Sequence, residues 1–292
     1  MSLAFQPNSF LRPRTKEELS KHLKEFGEAA KIIAGGTGIY EIAHRGLLSD
    51  VEALIDISGL NLSYVKLEDD SLRIGAATTM STLFASKDLT RSKALSGIID
   101  ALKAIQPLQV KNVATVGGSI CTALPFFDLP VALLSLGARV RIGPGGTAKN
   151  LSDFIKGYFS VDLERGEFVE EIEIPIGKKN IASAFQKFAL THDDWALINC
   201  GVSISLDENM QIMDSLIIFG GGVPEKPVRA KSVEQSLLGS RADDESKIKQ
   251  AFEGEVFKDL EPISDIRSSA EYRGRLAKII GRRTCVQAIS RV

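Results

Sequence analysis

Two stretches of the chain set paired glycines beside hydroxyl side chains. Ile32 to Ile39 reads I-I-A-G-G-T-G-I, and Val113 to Pro130 reads V-A-T-V-G-G-S-I-C-T-A-L-P-F-F-D-L-P. A glycine pair lets the backbone turn sharply and lets a ligand come within contact of bare N–H groups, which suits a phosphate. Gly35, Gly36 and Gly38 have Thr37 among them, and Gly117 and Gly118 lie between Thr115 and Ser119. Backbone N–H groups and hydroxyls together can satisfy a pyrophosphate without a lysine. Either stretch alone reads better as a tight strand-to-helix turn. Two of them, each after an apolar segment, point to one phosphate-bearing ligand held between two loops.

Asp128 is the single carboxylate in the apolar run that follows the second stretch. It suits the N-cap of a helix begun by Pro130, or an acceptor for ligand hydroxyls such as a ribose or ribityl chain. Trp195, the only tryptophan, follows His192, Asp193 and Asp194. The acids suit a solvated loop, and the indole suits either core packing or a plane against a flat cofactor. Familiar fingerprints are absent: Glu41 stands three residues after Gly38 and breaks G-x-G-x-x-G, and neither G-x-x-x-x-G-K-[ST] nor G-x-S-x-G occurs. Hydrolase chemistry is therefore not expected.

The elements that must position these residues belong to a chain of 292 residues, enough for two or three subdomains. Its 36 basic and 37 acidic residues argue against nucleic-acid or membrane-surface binding by bulk charge. Apolar runs break well short of membrane-spanning length and the start, M-S-L-A-F-Q-P, has no leader pattern, so the expected location is cytoplasmic. Cys121, Cys200 and Cys285 are odd in number and scattered, which supports neither a disulfide framework nor a metal site. A redox cofactor would be organic, or would sit on another chain.

Thr15 to Phe26 opens with T-K-E-E, a capping box in which Thr15 caps and Glu18 reaches back, so a helix is expected there. Strands are expected at Lys31 to Ala34, Leu54 to Ile57, Leu72 to Ala77, Ala138 to Ile142 and, half-exposed, Phe168 to Pro175. Ser81 to Ser86, Ser92 to Ile105 and a short segment from Pro130 read as helices. After Gly177-Lys178-Lys179-Asn180 the pattern becomes a meander of strands, Ile181 to Leu190, Cys200 to Leu206 and Gln211 to Phe219. Helices at Asp243 to Phe252 and Ser269 to Ile289 close the chain, the last with Tyr272, Leu276, Ile279, Val286 and Ile289 near one apolar face. Its basic residues, Arg273, Arg275, Lys278, Arg282 and Arg283, read as a solvated face or a partner-docking one. The fold class is α+β, with domains at 1–177, divided near 57, and 178–292.

Several of these segments, in this order, resemble the FAD-binding medium subunit of the molybdenum hydroxylases, the group of carbon monoxide dehydrogenase and xanthine dehydrogenase. They are P-x-T-x-E-E-L at 13–19, A-G-G-T at 34–37, I-G-A-A-T-T at 74–79, V-K-N-V-A-T-V-G-G-S at 110–119 and D-L-P at 128–130, followed by G-Y-F, K-P-V-R-A and S-A-E-Y-R at 157, 226 and 269. The resemblance implies a two-subdomain FAD-binding fold of the vanillyl-alcohol-oxidase type, then a C-terminal domain with a small antiparallel sheet and helices. It further implies FAD contacts from Ile32, Ile33, Ala34, Gly35, Gly36, Thr37, Gly38, Ile39, Thr78, Thr115, Gly117, Gly118, Ser119 and Asp128. Lys187 or Gln186, with Asp194 and Trp195, would lie near the isoalloxazine or its gating loop. Gly38 stands where the family commonly has Asp or Ser, and Thr191 where an arginine often precedes the acid–aromatic pair.

The function so implied is electron transfer from a [2Fe–2S] subunit, itself fed by a molybdenum-cofactor subunit, through FAD to an external acceptor. No catalytic side chain or metal ligand is expected on this chain. The alternatives are a free-standing FAD oxidase or dehydrogenase and a cofactor-free binding or assembly module.

Overall fold

The computed structural model describes residues 6–68, 70–177 and 180–292. Met1 to Phe5 of the expected leaderless start, and Lys178-Lys179 of the expected turn, lie outside the described residues. Three β-layers follow one another along the chain. The first is parallel, in the order β1-β3-β2, from Ser9–Leu11 (β1), Ala30–Ile33 (β2) and Ala53–Asp56 (β3). The second is antiparallel, in the order β4-β5-β10-β6-β7. It uses Val65–Glu68 (β4), Ser71–Gly75 (β5), Arg139–Gly143 (β6), Thr147–Asn150 (β7) and, beyond a ribbon of Ile155–Gly157 (β8) and Ser160–Val161 (β9), Phe168–Pro175 (β10). The third is the expected meander, Ile181–Phe188 (β11), Ile198–Leu206 (β12) and Ile212–Gly221 (β13), with the short Val228–Arg229 (β14) on its edge.

The helices, among the described residues, are Lys16–Phe26 (α1), Thr37–His44 (α2), Met80–Ala85 (α3), Ser96–Ala104 (α4), Leu108–Val113 (α5), Val116–Thr122 (α6), Asp128–Leu134 (α7), Leu151–Phe154 (α8), Lys231–Leu237 (α9), Glu245–Gly254 (α10), Val256–Asp259 (α11) and Ala270–Ile289 (α12). The mixture is α+β, and none of them is long and apolar enough to cross a membrane. Thr15 caps α1 as expected, its Oγ1 accepting from the Glu18 amide at 3.1 Å. Glu18 reaches one residue further back than a capping box requires, accepting from the Arg14 amide at 2.7 Å. The helix expected from Ser92 is shorter, because Ser92 caps a 3-10 turn at Lys93–Leu95 before α4 begins.

β10 departs from expectation. Its alternating charges predict a half-exposed strand, yet it lies between β5 and β6, and Glu170 and Glu171 are buried. Charge pairing makes this tolerable: Glu171 accepts from Arg73 Nε and from the Tyr64 hydroxyl, both at 2.7 Å, and Arg141 Nε lies 3.4 Å away.

Helices α4 and α7 fill the space between the second and third sheets, and α12 covers the outer face of the third. One apolar cluster accordingly joins Leu72, Ile98 and Leu133 to Phe185 and Ile218 of the meander. Arg291, near the chain end, completes this closure by donating Nη1 and Nη2 to Asp100 of α4, at 2.6 and 3.0 Å. The face expected for α12 is corrected. Leu276, Ala277, Ile280 and Cys285 are buried, while Tyr272, Ile279 and Val286 stand exposed. The helix repeats every 3.6 residues, and the strip that meets the sheet follows the 273–277–280–284 row instead.

Candidate functional site

The first glycine stretch leaves β2 and opens α2, the crossover between the parallel strands β2 and β3. Gly36 caps the helix at φ +75°, a conformation glycine adopts without penalty. The first bond of the helix runs from the Tyr40 amide to the Gly36 carbonyl at 3.0 Å. The amides of Thr37, Gly38 and Ile39 therefore have no acceptor among the described residues. A helix start with unpaired donors is a seat for an anion. Ile33 and Ile39 pack onto Leu48, Val51 and Leu54, while Ile32 and Ala34 pack onto the α1 cluster, so this stretch offers a ligand its backbone.

The second stretch is not the bare loop that was expected. Val116–Thr122 is helical, and Thr115 caps it through Oγ1, which accepts from the Gly118 amide at 3.1 Å. The Val116 and Gly117 amides donate to the Thr78 and Ala76 carbonyls at 3.0 and 2.9 Å, and the Ser119 amide to the Thr115 carbonyl at 2.9 Å. These donors are already satisfied, so the free amides come from the first stretch and the second supplies a wall. Gly117 has to be glycine because a Cβ would come 2.7 Å from the Cβ of Ala76. Gly118 faces outward, where a Cβ would meet only Thr115 Oγ1, at 2.8 Å. Thr78 is fully buried and its hydroxyl is spent on Tyr64, accepting from the amide at 3.0 Å and donating to the carbonyl at 2.9 Å. Its part is to hold this corner in place.

The two stretches touch. A Cβ on Gly35 would overlap the Val113 carbonyl oxygen, and one on Gly38 would lie 2.5 Å from Thr122 Oγ1. Thr122 Oγ1 in turn donates to the Gly118 carbonyl at 2.7 Å. The Thr122 hydroxyl thus occupies the space that a side chain at position 38 would need.

Asp128 is not the helix N-cap that was one of its two expected roles. Phe127 is the N-cap of α7, and no side chain caps the helix. The carboxylate is only 7% exposed and is held from across the third sheet, by Lys187 Nζ on β11 at 2.9 Å and Asn199 Nδ2 on β12 at 2.9 Å. Burial pushes its pKa up, against the opposing pull of Lys187 and Asn199. Lys187 also donates to the Asp194 carbonyl at 3.2 Å, fastening the loop that carries Trp195. The indole, 40% exposed, stacks on Phe126 with centroids 4.6 Å apart. Of the pair Lys187 and Gln186, only Lys187 reaches this cluster, because successive strand residues face opposite ways and Gln186 bonds Gln287 of α12 at 2.7 Å.

Three members went unrecognised in the sequence: Phe126, Asn199 and Arg267. Asn199 had a signal, an amide within the apolar strand I-N-C-G-V. Arg267 had none, since it reaches Phe126, 5.6 Å from the ring centroid, only through long-range folding. Its loop is built on Asp265, which accepts from the Arg267 amide at 2.8 Å and lies 2.7 Å from Nη2 of the fully buried Arg273. Burial alone would raise the Asp265 carboxyl, but the hydrogen bonds from Arg273 and Arg267 outweigh it and hold the group well below the usual carboxylate range. A carboxylate with a depressed folded pKa stabilises fully above its unfolded value, about 3.9, and loses that contribution as pH falls through the folded value. Asp265→Asn is expected to lower the urea midpoint at neutral pH, with the difference from the parent shrinking steadily in strong acid.

The unpaired amides at 37–39, the outward-facing Gly118 and the buried Asp128–Lys187 pair fit a ligand with a pyrophosphate and a polar chain. A family model described as the FAD binding domain in molybdopterin dehydrogenase matches residues 3–177, and one described as the CO dehydrogenase flavoprotein C-terminal domain matches residues 183–288. The chain is similar to the glyceraldehyde dehydrogenase medium chain of Sulfolobus acidocaldarius, 31% identical over 277 residues that cover 93% of this chain and 95% of that one. It is also similar to the xanthine dehydrogenase FAD-binding subunit of Escherichia coli O157:H7, 29% identical over 89% of each chain. Among solved structures, a chain of reconstituted CO dehydrogenase from Oligotropha carboxidovorans matches with a TM-score of 0.90 at 25% identity, over 99% of both chains. The protein belongs to the FAD-binding medium-subunit family of the molybdenum hydroxylases, a family of oxidoreductases, and its cofactor is FAD.

Proposed function

We propose that the chain is the electron-transfer subunit of a molybdenum hydroxylase, standing between a [2Fe–2S] subunit and an external acceptor. The observation that carries this reading is the contact between the two glycine elements, Gly35 against the Val113 carbonyl and Gly38 against Thr122, beside the free amides that open α2. When bound, FAD supplies the redox chemistry. The first-turn amides of α2 hold its pyrophosphate, with Ile32 to Ile39 lending backbone. Thr115, Gly117, Gly118 and Ser119 form the opposing wall, and Thr78 positions that wall. Asp128 receives the polar chain, held in place by Lys187 and Asn199. Asp194 and Trp195 border the ring. The division into 1–177, split near 57, and 178–292 is supported by the separate sheets, and the gripping subdomains are read as the vanillyl-alcohol-oxidase type.

Iron–sulfur and molybdenum centres are assigned to a small and a large partner chain, since several relatives are named medium chains. The three cysteines are unpaired, in keeping with a cytoplasmic setting.

Gly118→Val is the test. Its branched side chain would enter the open wall and press on the Thr115 cap, so FAD affinity is expected to fall at least tenfold, about 1.4 kcal/mol, while far-UV circular dichroism is unchanged. Flavin titration of the purified chain decides, and an unchanged affinity would show that α6 does not line the site.

A further inference from the structure

The outer face of α12 is used by neither the core nor the cofactor site, yet it is patterned. Tyr272, Ile279 and Val286 stand seven residues apart and are all exposed. At 1.5 Å per residue they form an apolar line roughly 21 Å long. Arg275, Lys278 and Arg282 follow at steps of three and four residues, and Arg283 stands four residues after Ile279, which places the four cations along this line. Two grooves open along this row. One, of about 710 Å³, is lined by Ser246, Lys249, Arg282, Arg283 and Val286 among others. The other, of about 300 Å³, is lined by Phe257, Pro262, Gly274, Arg275 and Lys278 among others. Glu271 pairs with Arg275 at 2.6 Å and Lys278 lies 4.9 Å from the Phe257 ring centroid. Arg282 and Arg283 have no carboxylate partner among the described residues.

We propose that this face docks an acidic amphipathic helix of a partner chain. Apolar residues at seven-residue steps match the seam of a second helix, and the flanking cations match acids beside that seam. A small free anion would neutralise Arg282 and Arg283 but leave Tyr272, Ile279 and the half-exposed Phe257 in water. A second copy of this chain is disfavoured by charge. Antiparallel pairing centred on Ile279 would set Arg275 against Arg283, and parallel pairing would set Arg282 against itself. The surface lies across the third sheet from the Asp128–Lys187 pair, because Gln186 faces α12 and Lys187 faces Asp128. Docking there would leave the cofactor site free.

The inference rests on the assembly part of the proposed function, and the test separates the two. The native assembly is purified through a tag on this chain, alongside Arg282→Glu/Arg283→Glu, and flavin absorbance, partner content and carbodiimide cross-links are measured. The expected result is a double variant that keeps FAD, with affinity for the partner chain weakened at least tenfold. Cross-links in the parent should join Lys249 or Lys278 to acidic residues of one partner helix. Partner chains retained at full affinity by the double variant, or cross-links that avoid both Lys249 and Lys278, would overturn the docking face while leaving the assembly reading intact. A parent that carries FAD but purifies without partner chains sinks both. A parent that forms a homodimer dissociated by Val286→Asp assigns the face to a second copy and overturns the proposal.

Discussion

Gly35→Ala is expected to remove FAD from the purified chain. The new Cβ would overlap the Val113 carbonyl oxygen, so α2 and the segment leading into α6 would have to move apart. Backbone cannot rotate aside as a side-chain tip can, and the free amides of Thr37, Gly38 and Ile39 would be displaced from Val113 and Thr122 of the second stretch. Affinity is expected to fall at least about a hundredfold, ~2.8 kcal/mol, together with a loss of stability of about 1–3 kcal/mol from overpacking. Flavin titration and urea unfolding separate the two effects. A variant that binds FAD like the parent would show that the two glycine elements need not touch for the cofactor to bind. Gly46→Ala is the control, because nothing lies within 4 Å of a Cβ there, although its φ of +73° carries a small strain of its own.

Asp128→Ala should produce the largest loss of stability among single changes at the site. Lys187 is almost wholly withdrawn from water, its side chain 10% exposed, and Asp128 Oδ2 at 2.9 Å is its carboxylate partner. Removing one member of a buried ion pair strands the other, which costs about 3–5 kcal/mol. Asn199 loses its acceptor in the same substitution, and its Oδ1 already lacks a donor among the described residues. The measurement is the urea midpoint of the FAD-free chain. A further Lys187→Met substitution is expected to recover much of the loss, since the stranded cation is then gone. A single-variant loss under about 1 kcal/mol would mean that water reaches the pair.

Much of this architecture was legible from local pattern. The Thr15 cap, the strand feeding Gly35, the short helix around Pro130 and the three-strand meander all follow from near neighbours in sequence, where periodicity and turn residues operate. What failed did so at long-range contacts. β10 read as half-exposed because its charges alternate, and only its place between β5 and β6, with Arg73 and Arg141 alongside, buries Glu171. The α12 pattern pointed Tyr272, Ile279 and Val286 inward, whereas the sheet selects the neighbouring strip.

The same division holds at the site. From the sequence alone came two glycine elements with hydroxyl residues beside them, a carboxylate in an apolar run, and their order along the chain, because each is a matter of residue type and spacing. Only the tertiary structure decided which stretch keeps free amides, since donors at 116 and 117 are taken by the carbonyls of Thr78 and Ala76 in the segment that follows β5. It likewise decided that Asp128 meets Lys187 and Asn199, residues 59 and 71 positions away. A hydrogen bond depends on distance in space, and residue spacing reports that distance only within a few turns of chain.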